Sequence, residues 1–196
     1  MYERIANWIT NRFIEKNIIE QEKQPIYAYG FEVLISNTIY TLIFLGLALL
    51  TQTFFESIVF WIGFFIVRTT SGGYHAPSYM ACHIMFAANH ILFVFLLTLF
   101  TFYPFAPINI ALMVACCITI FFFAPVDHPN KRFTSKEFRK FKSRSRIYSI
   151  VILTLTVVLY VLADWNVIQF SYAIGTLSGT VSLVCAKINN AKRKEQ

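Results

Sequence analysis

Charge is what this sequence has little of. Asp, Glu, Lys and Arg make up 14% of its 196 residues, whereas 57% are hydrophobic and 17% aromatic. A soluble domain averages about 25% charged and about 45–50% apolar residues, so a water-soluble globule is excluded and a bilayer is implied. Cysteine is also scarce: Cys82, Cys116, Cys117 and Cys185 are too few and too scattered for a disulfide scaffold. Cys116, Cys117 and Cys185 read as small hydrophobes. There is no HExxH and no paired-cysteine motif, and His83 and His90, seven apart, are too thin a ligand set for zinc. No metal and no cofactor is expected. The N-terminus, MYERIANWITNRFIEKN, lacks a small-residue cleavage site, so the first spanning segment is expected to direct insertion. No internal repeat divides the chain, which reads as one membrane domain over 1–196.

The charge that is present is segregated. Of the 17 Lys and Arg, four lie in 1–30, one is Arg68, eight fall in 131–146 and four in 187–194. Residues 2–20 place Ile5, Trp8, Ile9 and Phe13 at helical spacing, which predicts an amphipathic interfacial helix ended by Pro25. Apolar runs at 31–50, 54–67, 84–103, 108–124, 147–163 and 167–186 then predict an all-α, polytopic fold with about six transmembrane helices. The 54–67 run, with Glu56 inside it, is short for a span and is expected to be tilted or partly buried. With both termini cytoplasmic, the 1–30 segment, the 68–83 loop, the basic 125–146 loop and the tail share one side. The opposite loops near 51–53, 104–107 and 164–166 hold no Lys or Arg, as the positive-inside rule requires. The basic residues are thereby absorbed by topology, and no nucleic-acid partner is expected.

One interruption carries chemistry. Residues 68–83, RTTSGGYHAPSYMACH, combine two glycines, hydroxyls, a histidine and a cysteine. His75 is a natural general base, and Cys82 a nucleophile once it is a thiolate. With Pro77 in the first turn of the next helix, Cys82 is expected about five residues into it, ~7.5 Å along the axis. The dipole acts mainly within the first turn, so an ion pair with protonated His75 is the stronger source of thiolate stabilisation. Backbone N–H groups near Gly72 and Gly73 are candidates for an oxyanion hole. The same residues also fit a turn histidine and a buried cysteine with no chemistry. Glu32, at the edge of an apolar run, is a functional candidate by the cost of placing it there. Glu56 also fits a simple reach to the interface.

The run from Arg68 through Gly72-Gly73-Tyr74-His75-Ala76 to Cys82 resembles the signature of the accessory gene regulator B (AgrB) family. Tyr29-Gly30-Phe31-Glu32 is similar to that family's polar site ahead of the first span. Pro125-Val126-Asp127-His128-Pro129-Asn130-Lys131 is similar to its Pro-rich motif after the fourth. Three motifs in order, with a matching span count, extend the resemblance over essentially the whole chain.

The resemblance implies a membrane cysteine endopeptidase of peptide quorum sensing. Its substrate would be an AgrD-like propeptide with an amphipathic N-terminal helix, a core holding an internal Cys or Ser, and an acidic tail. His75 and Cys82 match the catalytic positions, and Arg68, Gly73 and Glu32 match supporting ones. Glu32 is the available guess for a third partner. The acidic tail suggests a binding role for Lys131, Arg132, Arg139 and Lys140, although these charges equally fit an ordinary topology anchor. The family also suggests homodimers. Two other classes compete: a non-enzymatic membrane exporter or accessory protein, and an intramembrane metalloprotease.

Overall fold

The structure, a computed structural model, describes residues 2–74, 76, 78–105, 107–127, 133–162 and 166–193, the side chains of 155, 159 and 162 excepted. Among these residues the chain forms helices and no strand. In order they are α1 (Tyr2–Glu15), a 3-10 turn (Gln21–Lys23), α2 (Gln24–Leu50), α3 (Phe54–Ser71), α4 (Tyr79–Phe102), α5 (Pro107–Phe123), α6 (Ser135–Leu162) and α7 (Asn166–Lys192). Four helical stretches in the described residues, Gln21–Leu50, α3, α4 and α7, are long and apolar enough to cross a membrane, and α5 is a shorter apolar helix. Large apolar side chains such as Leu42, Ile91, Phe95, Phe122 and Val161 face outward. A soluble monomer does not expose apolar surface on that scale, so the outer surface suits lipid. The chain resolves into two compact units, Met1–Leu50 and Thr51–Gln196.

The first unit pairs α1 with α2. α1 ends earlier than its hydrophobic pattern predicts, because Asn17 adopts φ 55° and turns the chain back. The Ile18 N–H then reaches Phe13 O at 2.9 Å and the Asn17 N–H reaches Ile14 O at 2.8 Å, a Schellman stop. α1 buries Ala6 and Thr10 and stacks Phe13 on Phe31 at 5.6 Å, while Ile5 and Trp8 stay exposed. Pro25 does not separate two elements. It sits in the first turn of α2, where a missing N–H costs nothing, so the helix starts well before residue 31 and includes Tyr29-Gly30-Phe31-Glu32.

In the second unit α7 packs against α3, α5, α4 and α6, most extensively against α3. Glycine makes the α3–α7 contact possible. A Cβ added to Gly175 would lie 1.9 Å from Phe60 O, one on Gly179 2.8 Å from Val67 Cβ, and one on Gly63 2.7 Å from Tyr172 O. Inside a bilayer, such close backbone approach is a main source of helix association. An aromatic cluster of Phe60, Phe93, Leu97, Phe100, Phe170 and Ile174 fills one end of this unit. Val67, Ile120, Ala124, Val126, Leu183 and Ala186 fill the other, with Tyr74 packed on them.

Two boundaries differ from expectation for local reasons. α3 does not stop at residue 67 but continues through Arg68 to Ser71. Thr69 Oγ1 donates to Phe65 O (2.9 Å) and Thr70 Oγ1 to Ile66 O (2.7 Å), so hydroxyls that look like a loop are satisfied by the helix itself. The second half of the expected 125–146 loop is helical as well. Thr134 and Glu137 form a capping box: the Glu137 carboxylate accepts from Thr134 N (2.9 Å), and Glu137 N donates to Thr134 Oγ1 (3.3 Å), launching α6 at Ser135. The expected turn at Asp164-Trp165 lies outside the described residues.

Candidate functional site

The expected 68–83 loop is shorter than its polar composition suggests. α3 ends at Ser71 and α4 begins at Tyr79, leaving residues 72–78 between them. Arg68 therefore stands in the last turn of α3, and Cys82 in the first turn and a half of α4. Ser78, in extended conformation, is the N-cap of α4, and its Oγ accepts from Ala81 N at 3.2 Å. Cys82 is thus the fourth helical residue, its N–H donating to Ser78 O at 3.1 Å, rather than one counted from Pro77. The thiol is half-buried and free, and the neighbouring His83 is buried. His75 and Pro77 lie outside the described residues.

The near end of the connection is held by two other parts of the fold. Gly72 adopts φ 84°, a conformation that side chains rarely accept, and an added Cβ would lie 2.2 Å from Val126 O. Val126 N in turn donates to Ser71 O at 2.9 Å, so the segment after α5 lies flush against the end of α3. The Gly72 N–H donates to Arg68 O at 3.2 Å and caps the helix. That N–H is thus engaged in the helix end, and Gly72 is needed at this position for conformation and clearance.

One residue on, Gly73 faces α7, where an added Cβ would meet Ser182 Oγ at 2.9 Å and Arg68 Nη1 at 3.1 Å. Arg68 Nη1 donates to Ser182 Oγ at 3.1 Å. The Tyr74 N–H is shared between Ser182 O (3.0 Å) and Ser182 Oγ (3.1 Å). From α6, Ser145 Oγ, itself buried, reaches Thr70 O at 2.8 Å and Ser71 Oγ at 3.3 Å.

α4 is seated on the same support. Ser178 Oγ donates to Asn89 Oδ1 at 3.1 Å, and Phe93, Leu97 and Phe100 pack with Phe170 and Ile174. α7 therefore carries both helices that flank the connection, and so sets the separation of Arg68 from Cys82. His90, expected to share a face with His83, is buried with its Nε2 3.5 Å from Ser57 Oγ and its ring edge-on to Phe60 and Phe93.

The remaining sequence candidates fall elsewhere. Glu32 is half-buried within α2, in the Met1–Leu50 unit. Glu56, half-buried, is in the first turn of α3, where a carboxylate suits the helix dipole. Arg139 and Lys140 are exposed on the first turns of α6, whereas Lys131, Arg132 and residues 128–130 of the Pro-rich segment lie outside the described residues. Lys187 sits over the Phe123 ring at 4.1 Å and Arg146 over Phe121 at 4.5 Å, flanking the end of α5. Asn190 Nδ2 donates to Asp127 O at 2.8 Å and ties α7 to the segment that supports Gly72.

Sequence reasoning missed Ser182 and the glycines of α7, and singled out Val126 only as part of the Pro-rich motif. Gly175-Thr-Leu-Ser-Gly179 is a legible small-xxx-small signal for close packing in an apolar helix. No local signal points to Ser182, whose partner Arg68 lies 114 residues away.

The accessory gene regulator B family model matches residues 2–185. The chain is 29% identical over 181 residues to AgrB-like protein 2 of Clostridium perfringens (strain 13 / Type A), covering 85% of this chain and 82% of that protein. It is 27% identical over 181 residues to an AgrB-like protein of C. perfringens (strain SM101 / Type A), covering 86% and 83%. It is also 27% identical over 127 residues to the accessory gene regulator protein B of Staphylococcus intermedius, covering 64% and 66%. No solved structure matches the chain.

Proposed function

The chain belongs to the accessory gene regulator B family, and from that premise we propose that it is a membrane cysteine endopeptidase of quorum sensing that cleaves an AgrD-like propeptide and closes its core into a ring. The Cys82 thiolate attacks the carbonyl at the end of the core. The tetrahedral adduct expels the amine of the acidic tail, which takes its proton from His75, and the core stays on Cys82 as a thioester. The core's own Cys or Ser, deprotonated by His75, then attacks that thioester and returns the Cys82 thiolate. Ring closure competes with hydrolysis because the nucleophile is held beside the acyl group at high effective molarity, in a site shielded from water.

The observation that carries this reading is a connection of only seven residues, 72–78, between two helices seated on one support, with Cys82 just inside the second. A free, half-buried thiol there is compatible with a nucleophile. Arg68 and Gly73 supply the fixed backbone, and Glu32 enters only through the motif to which it belongs. In this reading α1 lies along the interface, six helices cross the cell membrane with both termini in the cytoplasm, and the enzyme works as a homodimer.

The test is to trap the acyl-enzyme. A propeptide whose internal Cys or Ser is replaced by Ala retains the scissile bond but has no ring nucleophile. With the full-length protein in liposomes it is expected to leave the N-terminal helix and core together on Cys82, seen as an added mass of the tail-less propeptide that neutral hydroxylamine removes. Cleavage with no adduct, or with the adduct on another residue, sinks the mechanism.

The basic residues of 131–146 are proposed to hold the acidic tail. Reversing Lys131, Arg132, Arg139 and Lys140 to Glu is expected to raise KM for the propeptide about tenfold at low salt. The effect should shrink towards wild type near 1 M salt, where the screening length is about 3 Å. Unchanged processing by a correctly inserted variant removes the tail-binding role.

A further inference from the structure

We propose that Ser182 is a positioning residue for the peptidase: its hydroxyl on α7 locks Arg68 and the Gly73–Tyr74 backbone in one arrangement and thereby fixes the start of the connection relative to α7, on which the Cys82-bearing helix α4 also packs. This inference rests on the peptidase reading above and assigns a role to a residue outside all three family motifs.

The Ser182 hydroxyl oxygen receives two donors, Arg68 Nη1 and Tyr74 N–H, each at 3.1 Å. A hydroxyl oxygen has two lone pairs, so its accepting capacity is filled by Arg68 at the end of α3 and Tyr74 in the connection. The guanidinium bond is charge-assisted and partly shielded, which makes it stronger than a neutral surface hydrogen bond. The backbone carbonyl of the same residue takes a second share of the Tyr74 N–H at 3.0 Å. One residue therefore grips both a helix-terminal cation and the main chain that follows it.

The placement of Ser182 on α7 makes the grip rigid. It lies three residues after Gly179 and seven after Gly175, on the helix face that those glycines bring against α3. The residue type fits as well. With 2.9 Å between Ser182 Oγ and an added Cβ on Gly73, a longer polar side chain such as asparagine or glutamine would displace the connection, alanine would remove the acceptor, and threonine would keep the hydroxyl at the same distance from the backbone. Tyr74 directly precedes His75. A shift of about 1 Å there is the scale of misplacement that costs ~10²-fold in rate.

The experiment uses the full-length protein in liposomes with the propeptide, and compares wild type, Ser182→Ala, Ser182→Thr and Cys82→Ala. Ser182→Ala is expected to slow single-turnover thioester formation ~30- to 100-fold while KM changes less than about twofold, the signature of lost alignment rather than lost binding. Ser182→Thr retains the oxygen and is expected to recover to within about fivefold of wild type. The rate of Cys82 alkylation by iodoacetamide, which reads the reactivity of the thiol, should fall in Ser182→Ala and return in Ser182→Thr. A Ser182→Ala enzyme that cleaves and alkylates like wild type overturns the proposal, as does a folded Ser182→Thr enzyme as slow as the alanine variant. Cleavage retained by Cys82→Ala overturns instead the peptidase reading on which the proposal rests.

Discussion

Replacing Cys82 by Ala is expected to lower propeptide cleavage by at least ~10³-fold without disturbing insertion or folding. The reaction scheme has no substitute for the thiolate: with it gone, cleavage requires water to attack the amide directly. Only the binding and transition-state contacts of the site remain to assist, and in hydrolases with covalent intermediates the nucleophile carries most of the rate beyond those contacts. Cys82→Ser is expected to be nearly as slow, because a serine hydroxyl does not ionise near neutral pH and the proposed scheme runs through a thiolate. The structural cost is small. Cys82 is half-buried in the first turns of α4, whose start is held by the Ser78 cap rather than by the thiol. The measurement is appearance of the free tail in membranes containing equal amounts of each variant. Tail release by Cys82→Ala at the wild-type rate would falsify the cysteine mechanism.

Gly175→Val is expected to disrupt the Thr51–Gln196 unit, destabilising it by roughly 3 kcal/mol or more, at or beyond the upper end of overpacking penalties. The first added carbon alone would lie 1.9 Å from Phe60 O, where ordinary contact begins at 3.4 Å, so α3 and α7 must part by about 1.5 Å. Parting them also opens the tight contacts of Gly63 with Tyr172 O and of Gly179 with Val67. The Arg68–Ser182 hydrogen bond, now 3.1 Å, does not survive such a shift, so activity is lost together with stability. Gly46 is the matched control. Nothing lies within 4 Å of its added Cβ, and Gly46→Ala should be neutral or gain about 0.5–1 kcal/mol from helix propensity. Thermal unfolding in detergent distinguishes the two, and a Gly175→Val protein that melts with wild type contradicts the glycine contact.

Local features were legible in the sequence to the extent that their causes are local. Hydrophobic runs placed α4, α5 and α7 within a few residues, because a bilayer imposes length and apolarity on each helix separately. The errors were local as well, and had readable causes. Pro25 was taken as a breaker although proline is at home in a first turn. Thr69-Thr70-Ser71 was taken as loop although threonine hydroxyls bond back to helical carbonyls. Thr134-Ser135-Lys136-Glu137 spelled out a capping box inside what read as a basic loop. Gly72 was singled out for its backbone N–H, and what the structure adds is that an added Cβ there would lie 2.2 Å from Val126 O.

By itself the sequence determined that this is a helical chain suited to lipid, that its cations fall in a few separate stretches, and that Gly72, Gly73, His75 and Cys82 follow one another in the interruption between two hydrophobic runs. Composition, periodicity and short motifs act over a few residues, so they survive in one dimension. Only the tertiary structure decided that α7 is the support for both flanking helices, that Gly175 and Gly179 admit α3 to it, and that Ser182 holds Arg68 and Tyr74. Those facts depend on backbones approaching across more than a hundred residues of chain. Such an approach is set by packing between helices rather than by any pattern along one of them.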